Sequence, residues 1–455
     1  MRTDREGGAR LPTLASNPAR LDDLPPGTGF DDAVATSQGL DLRARARRRR
    51  WPIVLGVVQV VSGMAYSLWW GPLVGLYGGH YWLTSGDVWL DYRTAHYIGW
   101  GTLGSIYGSG TGLLTFPGYI LLLAPVAMLT GALHLSETYP FVLQHPTAWL
   151  VVGPYVMALG SFSLFAFDRL AERLGIPARR RIALCVAEAA LQWPVAVVWG
   201  HPDDLIAVGL ACYAYVSVMD GKWTAAGWTF GVAVAFQPLV LLILPLLLAK
   251  ADRSSFVGMV VRSAAPSVLL LAVPLAYDFH DTYRIVQQPW YGRVQFPTPW
   301  TSLAPRAANG EVLSGPSHLL AVTAGAGLGV AAWWRRWPTL TVLSVMTIVL
   351  ALRPVLEPAI APYYLWPTFG LSLVLVAARS KRFAVVAPVV VAIFLALQNH
   401  LGPWWVWYSA AVLGLGAAIA AGGGVPRRWE HSPAPHAGPR AAEAVPVAAH
   451  RVSLG

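Results

Sequence analysis

The chain has 455 residues, of which 55% are hydrophobic and only 12% charged, with mean hydropathy +0.49. An average soluble domain carries about 25% charged residues, so this composition excludes one. The formal charge of +10 does not indicate nucleic-acid binding. Its basic residues sit in short clusters, each beside an apolar run: 43–50, 178–181, 335–336, 379–382 and 427–428. That is the pattern of cytoplasmic loops in a multi-pass membrane protein.

The apolar runs predict an all-α polytopic membrane fold, with about ten full spans and two broken hydrophobic units. Alternating ten-residue strands, the mark of a membrane barrel, are absent. Residues 1–50 read as a disordered cytoplasmic tail, 51–422 as the transmembrane domain and 423–455 as a second disordered tail. Cys185 and Cys212 lie inside apolar segments and read as small core residues.

In chain order the first span is 51–72, followed by an outward loop, 73–112, that carries GDVWLDYRTAHY (86–97). Segment 113–133 is apolar, but charge parity requires both of its ends to lie on one side. It is expected to be a re-entrant or surface-lying unit, broken near Pro117 and Pro125. Spans 148–167 and 182–199 follow, the second delivering WGHPDD (199–204) to the outside. Span 205–219 returns. Stretch 224–249 has both ends inside and is expected to break at Gln237-Pro238. Spans 258–277, 317–334, 338–353, 363–378, 383–399 and 404–422 complete the chain, with 278–316 as a polar outward loop. Both termini are then cytoplasmic, in a multi-pass protein of the plasma membrane.

Polar side chains gather on the outward face. The first loop offers Asp87, Asp91, Arg93 and His96; the second offers His201, Asp203 and Asp204. Later loops add Arg284, Arg353, Glu357, Tyr363 and Tyr364. A carboxylate in low dielectric becomes a stronger base, and an Arg beside it can grip a phosphate. Each of these residues also has a plain role in wetting a loop, and Asp203 can cap the helix that follows it. No metal-ligand spacing is present; a divalent metal rests only on Asp87 meeting Asp203 or Asp204 in space, and no cofactor is expected. Glu188 lies within a span with Gln192 one turn on, and is expected to pair with Arg181.

The ordered set of segments resembles the GT-C superfamily of integral membrane glycosyltransferases, of the type that uses polyprenyl-phosphate mannose. The segments are GDVWLDYRTAHYIGWGTLGSIY (86–107), LTFPGYILLLAP (114–125), the stretch 199–249 that opens with WGHPDD, and RPVLEPAIAPYYLWP (353–367). The chain departs from the family at Val88, where relatives often carry Asp, and at Gln237, where they often carry Lys. The resemblance implies transfer of a sugar from a polyprenyl-phosphate donor to a lipid or glycan acceptor on the outer face. Asp87 is implied as the general base, with Asp91 as the second candidate. Arg93, His96, His201, Asp203, Asp204, Gln237, Arg284, Arg353, Glu357, Tyr363 and Tyr364 are implied in donor or acceptor binding. A secondary transporter or lipid-linked sugar flippase is the other reading, since it too uses broken helices and buried charges.

Overall fold

An apolar chain in hydrocarbon must satisfy its backbone internally, and the helix is the local way to do so. The computed structural model follows that rule. It describes residues 49–70, 73, 81–99, 101–108, 115–137, 145–286, 297–306, 310, 312 and 315–423. The chain divides into a unit Met1–Arg50 and a unit Trp51–Gly455. Nearly all described residues belong to the second, so the expected terminal tails lie outside the description. Among the described residues there is no strand, only isolated bridges between Pro297 and Ala359 and between Arg306 and Val312.

The helices run in chain order. First come α1 (Arg50–Ala65), α2 (Gly86–Gly99) and α3 (Pro117–Ala132). Then α4 (Trp149–Gly160) leads into α5 (Phe162–Arg173), and α6 (Ala178–Trp193) ends in a π-helical turn, Pro194–Trp199. Next are α7 (Pro202–Met219), α8 (Trp223–Phe236), α9 (Leu244–Leu248), α10 (Arg253–Tyr277) and α11 (Phe279–Val286). The last are α12 (Gly315–Arg335), α13 (Thr339–Leu356), α14 (Trp366–Arg379), α15 (Phe383–Gln398) and α16 (Trp404–Ala421).

Among the described residues, seven helical stretches are long and apolar enough to cross a membrane, where the sequence suggested about ten. The chain is an all-α polytopic membrane protein. The runs expected at 317–334, 363–378 and 383–399 are helical, but α14 has 14 residues and α15 has 16, short of a full crossing. The described apolar part of α12, Leu319–Arg335, falls in the same shorter class.

Packing separates inner helices from outer ones. α14 is buried from Trp366 through Ala377 and touches α6, α13, α15 and α16. α7 is 78% buried over its apolar window and packs on α4, α5 and α8. By contrast α1 and α10 are each only 22% buried, with Val57, Val61, Val268 and Leu269 exposed. Apolar side chains left exposed on a helix long enough to span are explained by lipid as the solvent.

The two broken units come out differently. α3 is continuous: Pro117 sits at its start, where the missing N–H costs nothing, and Pro125 lies inside one unbroken helix. The break expected there is absent, because one interior proline removes a single ladder bond and the helix tolerates it. The second unit does break. Gln237 is extended (φ −149, ψ 112), and a 3-10 turn, Pro238–Ile243, separates α8 from α9. α12 closes on this unit through two glycines. A Cβ at Gly325 would lie 2.7 Å from the Leu242 carbonyl oxygen, and one at Gly329 would lie 2.3 Å from Pro245 Cβ. Small residues four apart allow that approach.

The polar outward loops also contain more helix than expected. α2 forms because Val88, Trp89, Tyr92 and Ala95 recur at helical spacing and are all buried on one face. Gly86 opens that helix.

Candidate active site

The two acidic clusters meet. Ser85 Oγ donates to the Trp199 carbonyl at 2.6 Å, tying the start of α2 to the end of the π-helical turn. Gly200 makes the approach feasible. Its φ is +72, and a Cβ there would stand 2.4 Å from Ser85 Oγ and 2.5 Å from Val88 Cγ2. Asp87, in the first turn of α2, then faces His201: Nε2 and Oδ2 are 3.0 Å apart. The other ring nitrogen, Nδ1, is 3.6 Å from Asp203 Oδ1, an ion-pair distance too long for a hydrogen bond. Tyr363 stacks on the imidazole at 3.8 Å between centroids and 19° between planes.

Asp203 and Asp204 occupy the first turn of α7, where the helix dipole favours negative charge. The cap expected of Asp203 does not form. Its side chain is 1% exposed and neither carboxylate oxygen has a hydrogen-bond partner. Asp204 Oδ1 accepts from Gln237 Nε2 at 2.7 Å, which brings the break of the α8–α9 unit to the site. From the other side Arg353 Nε donates to Glu357 Oε1 at 2.7 Å, with both residues buried. The Arg353 guanidinium lies 4.1 Å over the Tyr364 ring, and Tyr364 meets Tyr363 edge-on at 4.6 Å. The loop that carries Glu357 is fastened by Thr298, whose hydroxyl donates to the Glu357 carbonyl at 2.7 Å.

The electrostatics divide the two loop aspartates. Burial pushes the Asp87 carboxyl up, but the hydrogen bond and charge of His201 outweigh it and hold the group below the usual carboxylate range. Burial opposes charge on His201, yet Asp203 and Asp87 together raise it well above an ordinary histidine. Each partner therefore favours the charged form of the other. Asp91 behaves oppositely. Its burial, reinforced by the negative charge of Asp203, raises it well above the usual range despite His201 nearby. Burial also raises the Tyr363 hydroxyl, with further contributions from Tyr364, Asp204 and Asp87.

Ten expected residues thus converge: Asp87, Asp91, His201, Asp203, Asp204, Gln237, Arg353, Glu357, Tyr363 and Tyr364. Two others stand apart. Arg93 is exposed on α2. His96 is buried against Tyr92 and pairs with Glu137 at 3.1 Å. The backbone of Arg284 falls in α11, but its side chain lies outside the described residues. Glu188 does not pair with Arg181, which instead binds Asp168 at 2.8 Å and Glu172 at 3.5 Å. Glu188 is 0% exposed, and its oxygens have no hydrogen-bond partner. The reason is reach: Asp168 and Glu172, one turn apart on α5, present carboxylates to Arg181 at the helix end.

Sequence reasoning missed Ser85, Trp199 and Thr115, whose hydroxyl lies 3.4 Å from Asp91 Oδ1. Ser85 and Trp199 abut the acidic clusters, a signal that was available. Thr115 carries none. Among the described residues no group of three or more His, Cys, Asp or Glu side chains is arranged to hold a metal ion. Searches against protein-family models, curated proteins and solved structures give no match.

Proposed function

We propose that the chain is a membrane glycosyltransferase that moves a sugar, with mannose the first candidate, from a polyprenyl-phosphate donor to an envelope lipid or glycan. One observation carries the reading: the accessible Asp87 carboxyl lies 3.0 Å from the His201 ring, beside a buried Arg–Tyr cluster. Asp87 has a side chain 58% exposed, so an acceptor hydroxyl can reach it. Asp87 takes the proton as the acceptor oxygen attacks the anomeric carbon. The bond from that carbon to the lipid phosphate breaks, and the phosphate leaves with its charge. Arg353 and Tyr364 supply donors for that charge. A single displacement inverts the anomeric centre. The active site belongs on the outer face of the plasma membrane, opposite the basic clusters, with both termini cytoplasmic.

The test is an assay of purified full-length protein with radiolabelled polyprenyl-phosphate mannose and a membrane lipid extract. Label should move to a new lipid or glycan.

A transporter or flippase is the second reading, favoured by Glu188, buried without a partner in α6, and by the helix break at Gln237. Glu188→Gln separates the two. It keeps the shape and removes the ionisable group. The glycosyltransferase reading expects sugar transfer to persist, since Glu188 lies outside the convergent residues and Gln keeps its volume. A transporter coupled through Glu188 loses translocation outright.

A further inference from the structure

The far end of the α8–α9 unit holds a second feature, independent of the candidate active site. Between α9, α10 and α12 lies a pocket of ≈ 470 Å³. Small-molecule sites span about 300–1,000 Å³. Its walls are apolar, formed by Leu244, Leu248, Phe256, Val330 and Trp333. Phe256, Val330 and Trp333 are also exposed on the outer surface, so the pocket opens where the helices face hydrocarbon.

One rim is basic. Arg253 lines the pocket and is exposed. Its neighbour Asp252 is committed to capping α10, accepting from Ser255 N at 2.7 Å and from Ser254 Oγ at 3.0 Å. Lys250 Nζ donates to the Trp337 carbonyl, which binds the 250–253 turn to the end of α12. Arg336, exposed and next to Trp337, is held near this turn, whereas Arg335 lies on the opposite face of α12 from Trp333. Exposed Trp333 and Trp334 mark the level as a membrane interface.

The occupant must match an apolar slot open to lipid with a cationic rim at headgroup depth. A peptide segment would bring backbone groups that the walls cannot satisfy. A free phosphate would leave the slot empty. We infer that the pocket is a binding site for an anionic phospholipid, with one acyl chain between α10 and α12 and the phosphate on Arg253 and Arg336. Arginine suits that phosphate through its paired N–H donors.

Native mass spectrometry of the full-length purified protein tests this with dioleoyl phosphatidylglycerol and dioleoyl phosphatidylcholine. Wild type should retain the anionic lipid more tightly. The double variant Arg253→Gln, Arg336→Gln should lose about fivefold of that affinity per arginine, with phosphatidylcholine unchanged. Val330→Trp, a change at an exposed wall residue that the fold tolerates, should weaken both lipids. Equal binding of the two lipids by wild type overturns the site. So does a double variant that keeps its anionic preference, or competition by water-soluble glycerophosphoglycerol, which would mean an ion site without a lipid seat.

Discussion

Asp87 and His201, 114 positions apart in sequence, meet at 3.0 Å, and each shifts the other toward its charged form. The imidazolium holds the carboxylate in its basic form, and the carboxylates hold the imidazolium charged. An aspartate kept ionised is ready to accept a proton, though it is a weaker base than an unpaired one. The neighbouring Asp91, 6% exposed against 58% for the Asp87 side chain, is the poorer candidate because an acceptor hydroxyl cannot reach it as readily.

The first prediction concerns pH. In His201→Gln only burial acts strongly on Asp87, so its carboxyl titrates higher and the acid limb of kcat/KM moves to higher pH. Stability follows the same linkage. The depressed Asp87 contributes stability above about pH 3.9, lost as pH falls through its folded value. The raised His201 contributes below about pH 6.5, lost as pH rises through its folded value. The Tm difference between wild type and His201→Gln is therefore widest between about pH 4 and 6.5. An unmoved acid limb with a pH-independent Tm difference contradicts the coupling.

Arg353 gives a second prediction. Arg353→Ala leaves Glu357, 1% exposed, as a buried charge without its partner. Breaking a buried pair costs about 3–5 kcal/mol, so the single variant should express poorly. Arg353→Ala combined with Glu357→Gln should recover protein level and Tm. Donor KM should stay raised in the double variant, because the phosphate contact is still missing. Wild-type KM in the rescued double variant would show that Arg353 only shapes the loop.

Topology supplies the third. Ser302 and Ser254 are both exposed, at opposite ends of the expected orientation. In a background with Cys185 and Cys212 replaced by Ala, Ser302→Cys should react with an impermeant maleimide in intact cells. Ser254→Cys should react only after permeabilisation. The reverse pattern would put the candidate site on the cytoplasmic face.

Much of the membrane architecture was legible in the sequence because hydrocarbon allows one solution, a helix, and apolar run length reports it directly. The break at Gln237 was legible for the same reason, since proline announces a missing donor. The continuity of α3 through Pro125 was not, because the proline that breaks one helix merely sits in another, and neighbouring helices decide. The membership of the site was readable as residue types at one face. Its wiring was not. Nothing local in the sequence tells that His201 takes Asp87 while Asp203 is left without a hydrogen bond, or that Arg181 turns from Glu188 to Asp168. Those choices depend on contacts such as Gly200 against Ser85, between segments far apart in the chain.

The central claim is that Asp87 is the base for sugar transfer, and the initial rate of transfer by Asp87→Asn tests it most directly. The substitution keeps the side chain's shape and removes its basicity. With radiolabelled polyprenyl-phosphate mannose, the rate should fall by about 10²–10⁴-fold relative to wild type. Protein level and donor binding should persist, and Asp91→Asn should cost less. An Asp87→Asn protein that transfers sugar at the wild-type rate contradicts the account.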